Sequence, residues 1–175
     1  MERADFSTFA CSIARTLAVV GESWTLLVMR DLLLGFERFD EIQRDLGIAS
    51  NVLSVRLNTL LQHGLVDRTR DPKDGRILRY RLTRKGLDLH PVLLGFMAWG
   101  DKWANDGAGP PMRLRHRGCD HTTAAVLACS VCLQPLALED IVFEAGAGGR
   151  TQPGTALVAS RLEPAQRNRA PRGNE

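Results

Sequence analysis

The chain has 175 residues, 44% of them hydrophobic, and a formal net charge of +3 at pH 7. This hydrophobic content is enough for a packed core and excludes a wholly disordered chain. The small net charge does not by itself indicate a nucleic-acid-binding protein. We find no run of about 18 apolar residues and no apolar signal-peptide core near Met1, so we expect a cytoplasmic protein without a membrane span.

Helix-breaking residues divide the chain into four predicted regions. Residues 1–107 carry strong periodic patterns, and the Gly and Pro residues that follow mark a linker at 108–111. A small segment, residues 112–145, holds three of the four cysteines. Residues 146–175 are rich in Gly, Pro, Arg and small side chains with little to bury, which predicts a disordered tail.

Four helices are predicted at the start of the first region, over residues 12–20, 24–34, 39–46 and 50–62. Ser12, Ser23 and Ser50 stand where a hydroxyl can cap the free backbone N–H groups of a helix. Gly35 and Gly47 stand where a helix commonly ends. The leucines of the fourth helix form one apolar stripe, so this helix is expected to pack one side against a core.

The period then changes from helical to alternating. Residues 65–70 and 77–82 alternate as strands do, and the turn-forming residues 71–76 connect them. Thr83 is expected to cap a long final helix that runs to Ala104. The predicted fold class is therefore mainly α with a β-hairpin wing (α+β): a winged helix-turn-helix, followed by a small cysteine-containing segment and a disordered tail.

The helix 50–62 and the basic wing 65–82 have the chemistry of a DNA contact. An α-helix fits the major groove, and the side of this helix away from the leucines carries small and polar residues. Arginines and a lysine on the wing suit the phosphate backbone and the minor groove. The predicted DNA-binding residues are Ser50, Asn51, Ser54, Val55, Arg56, Asn58, Arg68, Arg70, Lys73, Arg76 and Arg79.

Several blocks of the sequence, in order, resemble those of the HxlR-type helix-turn-helix regulators, which are relatives of the broader MarR-like winged-helix group. They include Gly21-Glu-Ser-Trp-Thr-Leu-Leu, Arg30-Asp-Leu-Leu-Leu-Gly, His63-Gly-Leu-Val-Asp-Arg and Tyr80-Arg-Leu-Thr-Arg-Lys-Gly. The resemblance covers residues 9 to 105. It implies a cytoplasmic, dimeric transcription regulator, repressor or activator, that reads a pseudo-palindromic operator in double-stranded DNA.

The resemblance also implies how the homodimer forms, because the first and last helices pair the protomers in such proteins. Here these are the segment 13–20 and a stripe on the last helix, for which a plain core is the alternative. Two-fold symmetry sets the half-sites about 34–36 Å apart. The stripe residues are Val92, Leu93, Phe96, Trp99 and Trp103.

Cys11 occupies the position of a cysteine that some members of this family use as a sensor of oxidants, quinones or aldehydes. A thiol near the N-terminal end of a helix is in a setting that favours the reactive thiolate. The alternative is a packed or exposed thiol without a sensing role. An oxidant or small-molecule effector is therefore one of the predicted partners.

The cysteines of the small segment have the spacing of a metal site. Cys129 and Cys132 are separated by two residues, which allows both thiolates to meet one zinc ion, and Cys119 with His121 completes a tetrahedral set. His116 is the alternative histidine ligand. The residue after Cys132 is leucine where zinc knuckles usually have glycine, and reduced, metal-free cysteines are the competing interpretation.

Two other classes of function also fit parts of the sequence. A winged helix with a zinc knuckle also fits a protein-docking module, and the pair of cysteines fits a thiol redox protein. The sequence contains no Ser/His/Asp order, no phosphate-binding glycine loop and no convincing pair of carboxylates, so an enzyme is not expected. The basic hairpin favours the DNA-binding regulator over both.

Overall fold

The computed structural model describes residue 6 and residues 8–162 of the chain. They form two compact units, one of residues 19–126 and one of the described residues on either side. The helices are α1 (Ser12–Val20), α2 (Thr25–Leu34), α3 (Phe39–Leu46), α4 (Ser50–Gln62), α5 (Arg84–Leu87) and α6 (His90–Trp103). The strands are β1 (Val66–Arg70), β2 (Leu78–Leu82), β3 (Leu114–His116) and β4 (His121–Thr123).

The core of the first unit lies where α2, α3 and α4 meet the hairpin. The apolar side of each helix faces inward at helical spacing, as the sequence predicts. Close packing of these side chains fixes the angle between α3 and α4. The fully buried side chains include Val28 and Met29 of α2, Ile42 of α3, and Leu53, Leu57 and Leu60 of α4.

An ion-pair network links α2 to α3 beside this core. Arg30 donates from Nε to Asp31 at 2.9 Å and from Nη2 to Asp45 at 2.7 Å. Asp31 is fully buried, and burial raises its pKa although the hydrogen bond from Arg30 opposes that shift. Removing Arg30 would leave a buried carboxylate without its compensating charge, which is costly.

The wing is an antiparallel hairpin in which β1 pairs with β2, from Val66 opposite Leu82 to Arg70 opposite Leu78. A third segment joins its edge, because the N–H of Tyr80 donates to the carbonyl oxygen of Glu37 at 2.7 Å. The residues before α3 therefore hold the wing from the other side, so the hairpin is a fixed part of the domain.

The predicted long final helix is two helices. Thr83 caps the first turn as expected, with its hydroxyl accepting from the N–H of Gly86 at 3.1 Å. Helix α5 then ends at Leu87, and α6 begins at His90. Pro91 stands in the first turn of α6, where the backbone N–H that proline lacks would have no partner within the helix. Inside a continuous helix, proline would interrupt the backbone hydrogen bonds. The expectation of one helix from Thr83 to Ala104 is wrong for this reason.

Two of the predicted serine caps are also wrong. The residue that precedes α2 is Trp24 and the one that precedes α4 is Ala49, and neither makes a side-chain capping bond. Ser50 is instead the first residue of α4. Gly35 and Gly47 end their helices in the left-handed conformation, as predicted, with φ of 94° and 60°.

The C-terminal part of the chain consists mostly of turns. Strands β3 and β4 pair as a short antiparallel hairpin in the first unit. In the second unit, the predicted tail contains a 3-10 helix, Val158–Arg161, and the buried Thr155. Residues 163–175 of that tail lie outside the described residues. In the part of the chain that the structure covers, the helices are too short or too polar to cross a lipid bilayer.

Candidate nucleic-acid interface

Helix α4 presents a polar side away from the core. Ser50, Asn51 and Asn58 are exposed, Ser54 is half-buried, and the Val55 side chain is 51% exposed. These small side chains leave room for the helix to approach base edges closely. Asn is suited to adenine, and an exposed Val to the methyl group of thymine.

The turn between α3 and α4 is held at its centre. Gly47 ends α3 and the next residue, Ile48, is only 4% exposed. The N–H of Leu53 donates to the carbonyl oxygen of Ala49 at 3.0 Å, so the first turn of α4 closes directly after the connection. Two helices joined by such a short, anchored turn form a helix-turn-helix.

Arg56 differs from the other predicted contacts of α4. Its side chain is only 14% exposed, and its Nη1 lies 3.4 Å from a carboxylate oxygen of Glu22. This pairing ties α4 to the segment before α2. The placement of the Arg56 side chain suits a role in orienting α4 more than a direct contact with DNA.

The wing carries four predicted contacts that are exposed to solvent: Arg68, Arg70, Lys73 and Arg76. The turn between the strands is ordered by Asp71, whose Oδ1 accepts the N–H groups of Lys73 at 2.7 Å and of the next residue at 3.3 Å. The bond from the Lys73 N–H, followed by that from Arg79, lowers the pKa of Asp71. Asp71 therefore stays ionised, and its hydrogen bonds fix the conformation of the turn that carries Lys73.

Arg79 points into an ion-pair cluster. Its Nη1 donates to Glu37 at 2.8 Å and its Nε donates to Asp71 at 2.5 Å. Arg81 donates to the same glutamate, from Nη2 at 2.9 Å. Hydrogen bonds from Arg81 and then from Arg79 lower the pKa of Glu37 to about 2. Two of the basic residues on the wing are thus occupied in holding it to the residues before α3.

Sequence reasoning missed Glu37. It lies between two helices with no periodic pattern around it, and its partner Arg79 is 42 residues further along the chain. A lone acidic residue beside a helix start carries no signal of such a distant pairing. The role of Glu37 in holding the wing follows from the structure, where the hydrogen bond from the Tyr80 N–H to the Glu37 carbonyl oxygen places the Glu37 side chain against the wing.

The comparison with known families agrees with this geometry. The sequence profile of the HxlR-like helix-turn-helix family matches residues 19–108, which contain the whole helix-turn-helix and wing. The chain belongs to the HxlR-like helix-turn-helix family. Its members named below are transcription regulators, and this HxlR-like protein is a DNA-binding transcriptional regulator of the same kind.

Individual relatives extend the similarity beyond the family profile. The uncharacterized HTH-type transcriptional regulator Rv3095 of Mycobacterium tuberculosis is 38% identical over 78% of this chain and 87% of its own length. The crystal structure of PA1607 is 32% identical and superposes with a TM-score of 0.71, covering 79% of this chain and 96% of that one. The regulator YodB of Bacillus subtilis is 29% identical over 58% of this chain and 91% of its own. The similarity to PA1607 thus extends past the wing.

All four cysteines are free thiols. Cys11 is half-buried and directly precedes α1, and its carbonyl oxygen accepts the N–H of Arg15 at 3.0 Å. In the second unit, the backbone N–H groups of Cys132 and Val131 lower the pKa of the Cys129 thiol. In the first unit, the Nδ1 of His116 lies 3.3 Å from the Sγ of Cys119.

The Nδ1 of His121 lies 2.6 Å from the backbone oxygen of Cys119. Across the described residues, no three side chains of His, Cys, Asp or Glu come together in a group that could hold a metal ion. The four-ligand zinc set therefore stays a prediction from sequence.

Proposed function

We propose that this HxlR-like regulator binds a pseudo-palindromic operator as a homodimer, with α4 in the major groove and the wing on the flanking backbone. The observation that carries the proposal is the exposed polar side of α4 beside a basic hairpin that is fixed in place. Asn51 and Asn58 supply hydrogen bonds to bases, and Arg68, Arg70 and Lys73 neutralise phosphates.

The cluster around Glu37 divides the basic residues of the wing into two groups. Arg79 and Arg81 already have carboxylate partners and serve to hold the hairpin. Arg68 and Lys73 remain exposed for phosphate contact. A wing that is held in one orientation loses less conformational entropy when it binds, and this favours affinity.

The last helix supports the proposed dimer. Helix α6 has no buried residue within the described chain, although it is strongly apolar. Phe96 and Trp99 are each 63% exposed and Trp103 is 66% exposed. Three large exposed aromatic side chains along one helix are unusual for a monomer and typical of a surface that another chain covers. A second copy of this chain is the proposed occupant, since a two-fold operator requires two recognition helices.

The experiment for this proposal measures assembly and DNA binding together. Light scattering after size exclusion should give twice the chain mass for the native protein and the mass of one chain for Phe96→Asp or Trp99→Asp. The same variants should lose affinity for the operator but keep the circular dichroism of the folded helices. A native protein that is monomeric and still binds a palindromic operator tightly would refute the dimer.

Cys11 is proposed as the residue through which oxidants control DNA binding. The support is its partial exposure directly before α1, at the position that the resemblance to this family assigns to a sensor cysteine. Mild oxidation with diamide should release the native protein from its operator, and Cys11→Ser should remain bound. Equal release of both proteins would assign the response to another thiol, and Cys129→Ser is the matched variant that tests this.

A further inference from the structure

A cavity of about 1030 Å³ opens within the first unit, between α2, α6 and the segment that follows α6. This volume matches the upper end of the range for small-molecule sites, about 300–1,000 Å³. Its third wall comes from residues 104–114, which belong to the same compact unit as the two helices. The cavity is therefore a feature of one unit and has the size of a ligand site.

The walls of this cavity are mostly apolar. Helix α2 contributes Leu27, Leu33 and Leu34, all of which are exposed. Helix α6 contributes Leu93 and Met97, which are half-buried. The segment after α6 adds further apolar side chains, namely Pro110, Pro111, Met112 and Leu114. A concave space with such walls suits an organic ligand, because binding would remove the apolar surface from water.

The cavity and the proposed dimer surface use different sides of α6. Leu93 and Met97 follow one another at helical spacing along the cavity, whereas Trp99 and Trp103 are not part of its lining. Phe96 lies at the border, since it is exposed and also lines the cavity. A second copy of the chain that covers the two tryptophans does not by itself fill the cavity.

The acidic residues of the lining give one end of the cavity a negative charge. Asp101 of α6 is half-buried, and within the described part of the chain its carboxylate has no hydrogen-bond or ion-pair partner. Asp106 is the second acid, and one of its oxygens accepts the N–H of Ala108 at 3.0 Å. The C-terminal end of α6 lies here too, where the helix dipole is negative. A positively charged occupant would supply the counter-charge that Asp101 lacks.

Arg30 is the basic residue of the lining, and carboxylates already face its charge. Its Nε donates to Asp31 at 2.9 Å and its Nη2 donates to Asp45 at 2.7 Å. The guanidinium therefore does not make the cavity a site for anions. Because Asp45 belongs to α3, a ligand in the cavity would lie beside the residue that joins α2 to the helix-turn-helix, which suits an effector site.

We propose that this cavity binds a lipophilic organic cation, a molecule with aromatic or aliphatic groups around one positive charge. The apolar walls bury the hydrocarbon groups, the Asp101 carboxylate pairs with the charge, and the ring of Phe96 offers an aromatic face to it. An anion of the same shape has no such pairing. Binding of the cation requires no DNA, so its failure and a failure of the proposed DNA interface are separate results.

The first test titrates the full-length reduced chain in a calorimeter, in sodium buffer, with two probes of the same shape and opposite charge. Tetraphenylphosphonium should bind, and tetraphenylborate should bind about tenfold more weakly or not at all. Asp101→Asn should weaken binding of the phosphonium about tenfold and should not weaken that of the borate. Asp67→Asn is the matched control, because it makes the same charge change on the exposed face of β1 and should leave both affinities unchanged.

The second test fills the cavity and leaves its charge unchanged. Gly100 is part of the lining, and a Cβ at this position would meet no atom within 4 Å. Gly100→Leu should place its side chain in the cavity and abolish binding of the phosphonium. The variant should fold, since leucine favours a helix more than glycine does. Gly95→Leu is the matched control on α6, because a Cβ there also meets no atom within 4 Å but the residue is outside the lining.

Three results would overturn the proposal. The first is a native chain that does not bind tetraphenylphosphonium. The second is equal affinity of the native chain for the phosphonium and the borate, which would leave Asp101 without a role. The third is an unchanged affinity for the phosphonium in either Asp101→Asn or Gly100→Leu. Circular dichroism of each variant shows whether the helices remain folded, so a loss of binding is not confused with unfolding.

Discussion

Glu37 and Arg79 are 42 residues apart in sequence and 2.8 Å apart in the structure, from the carboxylate Oε2 to the guanidinium Nη1. This ion pair joins the segment before α3 to the second strand of the wing. It therefore couples the orientation of the wing to the helix-turn-helix, the two parts that must meet DNA together. Arg79, which the sequence predicts as a DNA contact, instead pairs with carboxylates that hold the DNA-contacting wing in place.

The first prediction concerns the substitution Glu37→Gln. It removes the charge that holds Arg79 and Arg81, so the wing becomes less ordered while its net positive charge rises. We expect affinity for a scrambled duplex to stay equal or increase, and the ratio of operator to scrambled affinity to fall, by about threefold to tenfold. Asp67→Asn is the matched control, because it makes the same charge change on the exposed face of β1. A variant of Glu37 with unchanged specificity would show that the cluster does not position the wing.

The second prediction is a pH dependence that arises from the same glutamate. Its pKa is lowered from 4.5 to about 2 in the folded chain, so its ion pairs stabilise the fold fully only above the unfolded pKa. This stabilisation is lost as the pH falls from about 4.5 through about 2. The difference in melting temperature between the native chain and Glu37→Gln should thus be constant near pH 7 and shrink across that acid range. A difference that grows on acidification would contradict the pairing.

The third prediction separates base contacts from phosphate contacts. Asn58→Ala on α4 should relax the preference for one base pair, at a cost of about 1–3 kcal/mol on the operator and little on a scrambled duplex. Lys73→Ala on the wing should weaken both duplexes alike and reduce the slope of log affinity against log salt by about 1. Fluorescence anisotropy at several salt concentrations measures both effects. If Asn58→Ala weakened both duplexes alike and Lys73→Ala weakened only the operator, the wing and not α4 would make the base contacts.

The fourth prediction concerns Gly86 in α5. A Cβ at this position would clash with the backbone oxygen of Leu65, which is not free to move. Gly86→Ala should therefore destabilise the first unit by about 1–3 kcal/mol or more, measured by urea unfolding. Gly75→Ala is the control, because a Cβ there meets no atom within 4 Å. Equal stability of the two variants would mean that the wing and α5 separate readily.

Local patterns in the sequence were enough to predict much of this fold. The span of α3, residues 39–46, follows from the acidic residues near its start and from Gly47 at its end, and that of α4, residues 50–62, follows from its leucine spacing. Both spans agree with the structure. The break between α5 and α6 was missed although Pro91 marks it, because the apolar pattern runs across both helices. Contacts between distant residues were not predictable, since periodicity reports only which side of an element is buried.

The candidate site shows the same division. The exposed side of α4 is the complement of its leucine stripe, so the positions of Asn51 and Asn58 could be predicted from spacing alone. The positive charge of the wing could also be predicted from the sequence, but the partner of each arginine could not. Whether an arginine faces solvent, as Arg68 does, or a carboxylate, as Arg79 does, depends on a partner from another part of the chain.

The DNA interface is tested by the binding of the full-length reduced protein to the DNA upstream of its own gene. Fluorescence anisotropy would compare this fragment with a scrambled duplex of the same length, for the native chain and for the double variant Asn51→Ala with Asn58→Ala. We expect tight, salt-sensitive binding that prefers the upstream fragment, and loss of that preference in the variant. Absence of binding to both duplexes at low salt would contradict the DNA interface and favour a protein-docking role for the winged helix.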